Sequence, residues 1–123
     1  MSSHRNYDTV AFDTREDATM LFFARTTPSG DIDDYLLLMR AESAEFDEAI
    51  YIEINERQFA GHNLIREARM SGNMLTLELH EAAAELEGAT EIVLSYDDSP
   101  ENKASVEAGA FRVLGDRLAG GHA

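Results

Sequence analysis

The chain has 123 residues, 44% of them hydrophobic, with 24 acidic residues against 10 basic ones, a net charge of −14 and no cysteine. That length supports one domain with its own core, residues 1–123, and the apolar fraction excludes a chain kept unfolded by its charge. The lack of cysteine excludes disulfides, thiolate metal sites and a cysteine nucleophile, and it suits a reducing, cytoplasmic setting.

Residues 1–6 and 119–123 read as loose tails, the second because Gly120 and Gly121 hold no helix cheaply. Met1 to Arg15 is polar, and the first apolar run, Met20 to Ala24, is too short for a signal core or a membrane span. Tyr7 to Phe12 and Met20 to Arg25 alternate in the manner of strands, and Thr27-Pro28-Ser29-Gly30 predicts a turn between strands. Ile32 to Met39 is a further strand, with Tyr35, Leu37 and Met39 on one face and Leu36, Leu38 and Arg40 on the other. After an acidic connection from Ala41 to Glu48, Ile50, Ile52 and Ile54 point one way and Tyr51, Glu53 and Asn55 the other, a sheet with one wet face.

A reversal at Asn55-Glu56-Arg57 leads to a short segment, Gln58 to Gly61. Leu64 to Met70 and Met74 to Leu79 flank Ser71-Gly72-Asn73, which predicts an antiparallel hairpin with Leu75, Leu77 and Leu79 in the core. Glu81 to Glu87 favours one or two helical turns stopped by Gly88, and Glu91 to Tyr96 is the last strand. Ser99 can cap a helix that starts at Pro100, with Glu101 at the positive end of its dipole. Val106, Ala110, Val113, Leu114 and Leu118 form its apolar stripe. The predicted fold is α+β: a mostly antiparallel sheet of about six to eight strands with one C-terminal helix packed on a face.

Chemistry-bearing motifs are scarce. No nucleophile elbow, phosphate loop, zinc helix, calcium loop or dinucleotide fingerprint occurs. His4, His62, His80 and His122 are scattered, with His4 and His122 in the predicted tails. The expectation is no metal, no cofactor and no catalysis. Acid–base work needs two carboxylates in opposed environments, and the sequence marks none as buried. Nine of the ten basic residues are Arg, Lys103 is the one Lys, and no basic cluster exists to grip phosphates.

The acidity itself is concentrated. Nine acidic residues lie between Asp31 and Glu56 against Arg40 alone, which accounts for a net eight of the fourteen negative charges. Charge runs often do no more than solubilise a surface. Here the run coincides with the strongest strand signals, and carboxylates on a stiff sheet hold their positions. Such a field attracts a basic partner and repels nucleic acid and anionic membrane. The predicted footprint is Asp33, Asp34, Glu42, Glu45, Asp47, Glu48 and Glu53, with Tyr35 and Tyr51 as anchors that bury a ring and keep a polar tip.

The order of segments resembles the immunity protein 10 family, bacterial proteins that neutralise polymorphic toxins. The residues that carry the resemblance are Tyr35-Leu-Leu-Leu-Met-Arg40, Tyr51-Ile-Glu-Ile-Asn-Glu-Arg-Gln58, and the Gly61 turn with Leu64 and Ile65. They continue through Asn73-Met-Leu-Thr-Leu-Glu-Leu79, Glu91-Ile-Val-Leu-Ser-Tyr96 and the closing helix, so that the resemblance spans roughly Ile32 to Leu118. The chain departs from the family pattern at Glu56-Arg57, where an Asp-Gly-Gln-like turn is expected, and at His62-Asn63, where a Tyr-Gly-Gly-like segment is expected. The resemblance implies a cytoplasmic inhibitor of a cognate toxin domain. A basic nuclease cleft is one target that the carboxylates would suit, and a non-nuclease toxin is equally compatible. The residues alone leave two other readings open: an acidic interaction module unrelated to toxins, or a small ligand-binding domain or enzyme. The exposed edges of a mostly antiparallel sheet also allow a homodimer.

Overall fold

The computed structural model describes residues 2–15, 18–41, 50–55, 58–62, 64–115 and 118. Nine strands and a helix follow in order: β1 (Ser2–Tyr7), β2 (Thr9–Arg15), β3 (Ala18–Thr26), β4 (Ile32–Ala41), β5 (Ile50–Ile54), β6 (Phe59–His62), β7 (Ile65–Ser71), β8 (Met74–Ala83), β9 (Ala89–Tyr96) and α1 (Pro100–Leu114). The architecture is the α+β, mostly antiparallel one that the sequence predicts. The strands exceed the predicted six to eight and divide between two sheets, in the orders β2-β3-β4-β5-β6 and β1-β9-β8-β7.

Both sheets are antiparallel meanders, except that β1 lies parallel to β9. Only Asp8 separates β1 from β2, and only residues 63–64 separate β6 from β7. Each margin of one sheet is therefore followed along the chain by a margin of the other, so the chain turns a corner between sheets at Asp8 and again between β6 and β7. Asn102 pins the first corner. Its Oδ1 accepts from the Val10 amide at 3.0 Å, and its Nδ2 donates to the carbonyls of Asp8 and Asp97 at 3.0 and 2.9 Å. A buried amide with its bonds made is stable where an orphan would be costly.

Residues 2–6, predicted as part of a loose tail, are strand β1. Arg5 Nη2 donates to both carboxylate oxygens of Asp34 at 3.2 Å, Arg5 Nε donates to Tyr7 Oη at 2.8 Å, and Tyr7 Oη donates to Asp34 at 3.2 Å. The partners of this polar stretch lie far along the chain, so local alternation carries no trace of them. The predicted turns over Glu81 to Glu87 are corrected likewise. β8 runs on to Ala83, a single 3-10 turn spans Ala84–Leu86, and Glu87 and Gly88 at φ 59° and 80° reverse the chain. Pairing of the buried Ala83 with Ala89 overrides the helical propensity. Residues 119–123 lie outside the described residues.

One core draws on both sheets and the helix. From the five-stranded sheet come Leu21, Phe23, Leu36, Leu38, Ile50, Ile52 and Ile54; from the other come Leu75, Leu77, Leu79, Ile92 and Leu94. The helix starts as predicted, with the Asn102 amide donating to Ser99 Oγ at 3.1 Å and Pro100 in the first turn. Val106, Ala110, Val113 and Leu114 are buried, as is Leu118. Gly109 lets the helix approach the sheet, since a Cβ there would lie 2.7 Å from Phe12 Cδ1 and 3.0 Å from Leu21 Cδ1. At the other end Arg40 Nη1 donates to the Val113 carbonyl at 3.2 Å, a cation at the negative end of the dipole. Among the described residues no helix is long and apolar enough to cross a membrane.

Candidate functional site: the outer face of the five-stranded sheet

Directly paired residues of an antiparallel ladder share a face. Phe22 pairs with Leu37, Leu37 with Glu53, and Glu53 with Ala60; Met20 pairs with Met39, Met39 with Tyr51, and Tyr51 with His62. These residues point away from the face that carries Leu21, Leu38 and Ile52, on which α1 lies. The sheet therefore turns outward a mostly apolar surface, and Met20, Phe22, Tyr35, Leu37, Met39, Tyr51 and Glu53 on it are all partly exposed.

A carboxylate stands at its centre. Tyr35 lies diagonally across the β4–β5 pair from Glu53, and Tyr51 precedes Glu53 by two on the same strand. Tyr35 Oη donates to Glu53 Oε2 at 2.5 Å and Tyr51 Oη donates to Oε1 at 2.7 Å. Each oxygen takes one phenol, which fixes the plane of the carboxylate and the tilt of both rings. The rings are braced from outside the pair. Phe22 stacks on Tyr35 with centroids 5.5 Å apart, and His62 packs against Tyr51 at 5.0 Å. Asn55, at φ 45°, holds the end of the hairpin, its Oδ1 accepting from the Tyr35 amide at 2.8 Å. Positive φ is tolerable for Asn because its short side chain bonds locally.

Three of the predicted site residues, Tyr35, Tyr51 and Glu53, thus meet. Asp33 and Asp34 sit at the start of β4 and serve other groups. Asp33 accepts from Arg25 Nε at 3.0 Å, and both residues are about half exposed. Asp34 is turned inward to Arg5 and Tyr7, with its side chain 14% exposed. Burial pushes the Tyr7 hydroxyl well above its ordinary range, and the neighbouring Asp34 adds to the shift while Arg5 opposes it. Burial alone would lower the Arg5 guanidinium, but Tyr7 and Asp34 together hold it above its usual value. Glu42, Glu45, Asp47 and Glu48 lie outside the described residues, in the segment that joins Ala41 to Ile50. Sequence reasoning placed Leu37 and Met39 on the face of Tyr35 but left them out of the footprint, and it missed Met20, Phe22 and His62 as members of this face. For Met20, Phe22, Leu37 and Met39 the signal was the unbroken apolar character of Met20 to Ala24 and Tyr35 to Met39, which marks strands apolar on both faces; His62 carried none.

Among the described residues no three His, Asp or Glu side chains converge in a metal-binding arrangement. His4 lies on β1, His62 on β6 and His80 on β8, while His122 is outside the described residues. What the face can do chemically is bind: it offers ring surface, sulfur and one oriented anion. Compared with models of known protein families and with curated proteins, the chain matches none.

Proposed function

We propose that this protein is a non-catalytic binder of a basic protein domain, of the immunity type: a cytoplasmic inhibitor that covers a cognate bacterial toxin. The observation that carries the reading is Glu53, held by two tyrosine hydroxyls in the middle of an outward apolar sheet face. A pre-oriented carboxylate ringed by aromatic and thioether side chains suits an Arg or Lys brought in by a partner, which gains a charge-assisted bond and ring contacts together. In the sequence, the segment between Ala41 and Ile50 adds four further carboxylates, Glu42, Glu45, Asp47 and Glu48. Complementary fields speed capture, which matters for a protein that must reach its toxin before the toxin acts. A face of this sign disfavours nucleic acid and anionic membrane as partners.

The test is co-expression with the toxin encoded beside it, scored by growth, and the association rate of the purified pair. Glu53→Lys and Tyr51→Ala are expected to abolish protection. Asp47→Lys with Glu48→Lys is expected to slow association more at low salt than at high, because screening shortens to about 10 Å at 0.1 M. Undiminished protection by Glu53→Lys and Tyr51→Ala would remove this face from the interface.

A further inference from the structure

β6 pairs with β5 along one edge, and among the described residues no strand pairs with its other edge. That edge borders a wedge. β8 pairs with β7 as far as Ile65–Leu79, with a register shift between Ile65 and Glu67, and the His80 amide still donates to the Leu64 carbonyl at 3.1 Å. Beyond this point the chain of β6 bends away toward the five-stranded sheet while β8 continues to Ala83. The β8 ladder with β9 also breaks between Glu78 and Ala83, so that residues 79–82 bulge out. The strands part around an open cleft of about 500 Å³ whose floor includes Phe59, Leu64 and Leu79 and whose rim carries His80, Glu81 and Glu85. The described residues that line it include no Lys or Arg.

We infer that this wedge is a strand-acceptor site: an extended basic segment of a protein partner adds along Phe59–Gly61 of β6, at the edge where no strand pairs among the described residues, with the bulged end of β8 as its second wall. Strand addition draws affinity from main-chain hydrogen bonds, and alternate side chains enter pockets or meet the flanking surface. Here the inward set would meet Phe59, Leu64 and Leu79, and Lys or Arg in the segment would meet Glu81 and Glu85. Exposed edges of this kind are ready templates for a further strand. Ala60 of β6 is the ladder partner of Glu53, so an added strand would extend the sheet whose outer face carries the tyrosine-held carboxylate. The inference rests on the proposed function for the basic character of the partner and adds the backbone mode by which it docks.

The experiment uses the full chain and two acetylated, amidated heptapeptides of alternating Lys and Val. They are identical except that one is N-methylated at alternate residues, which removes ladder donors at constant charge. Amide NMR of the protein is expected to show shifts and slowed hydrogen exchange along Phe59–His62 and residues 80–83 with the plain peptide, and binding at least tenfold weaker with the methylated one. Glu81→Lys with Glu85→Lys, two exposed positions, is expected to weaken the plain peptide at least tenfold. Equal binding of both peptides, shifts confined to the Tyr35–Tyr51 face, or no binding at millimolar peptide would each overturn strand addition. The first two of these would leave the acidic-face reading standing. Unchanged affinity in the charge-reversed variant would overturn the assignment to this wedge.

Discussion

The two faces of the five-stranded sheet both carry apolar side chains but differ in burial. On the inner face Leu21, Leu36, Leu38, Ile52 and Ile54 are at most 1% exposed, and a helix closes over them. On the outer face Met20 is the ladder partner of Met39 and Phe22 that of Leu37, and all four stay partly open. The contrast teaches that apolar character alone does not mark a core; what marks it is the element that covers it. The carboxylates divide in the same way. Asp34 is turned inward to Arg5, whereas Glu53 is held on the outer face by the hydroxyls of Tyr35 and Tyr51.

The sharpest way to break that contrast is to truncate neighbours in one strand. Leu38→Ala is expected to cost about 3 kcal/mol in urea unfolding, within the usual range for emptied core positions. Leu37→Ala, one residue away, is expected to cost under about 1 kcal/mol, as an open surface position does. Equal losses would mean that the outer face is covered in the isolated protein. Asp34→Ala comes next, at about 2 kcal/mol, because it strands a largely buried guanidinium; a fully buried pair would lose more. The same cluster gives an alkaline signature. The Tyr7 pKa is raised on folding, so its contribution is whole below pH 10 and falls as the pH rises from there toward the folded value. Tyr7→Phe is expected to flatten that decline in a pH series of thermal midpoints.

Gly109→Ala tests how tightly the inner face is closed. Its methyl would press on Phe12 and Leu21, and a loss of about 1–2 kcal/mol is expected. The smallest effect belongs to Tyr51→Phe, which removes one partly exposed hydrogen bond to Glu53 and is expected to cost about 0.5–1 kcal/mol in unfolding. If the outer face is for binding, this variant is expected to lose far more in partner affinity than in stability, and a titration beside the unfolding curve reads both.

Much of the fold was legible where the pattern is local. The isoleucines of β5, the leucines of β8 and the capped helix all follow from spacing and from Ser99-Pro100. Strand β1 was hidden because Arg5 and Tyr7 are stabilised by Asp34, 29 and 27 residues away. The division into two sheets was hidden because it depends on where the chain leaves one sheet for the other, at Asp8 and between β6 and β7, which no periodicity announces. In the site, Tyr51 and Glu53 were legible as one face of a strand and Tyr35 as a residue of the strand before it, whereas the pairing that joins them was not. The fate of Asp34 was not, since strand alternation puts it inward but does not name the arginine that meets it.

The parallel pairing of β1 with β9 joins the first strand of the chain to the ninth. The ladder of β1 with β9 cannot form before residues 91–96 have been made. The meander from β2 to β6 can collapse in the meantime, but the circuit of strands shuts only at that late moment, so folding of such a chain is paced by its longest-range contact.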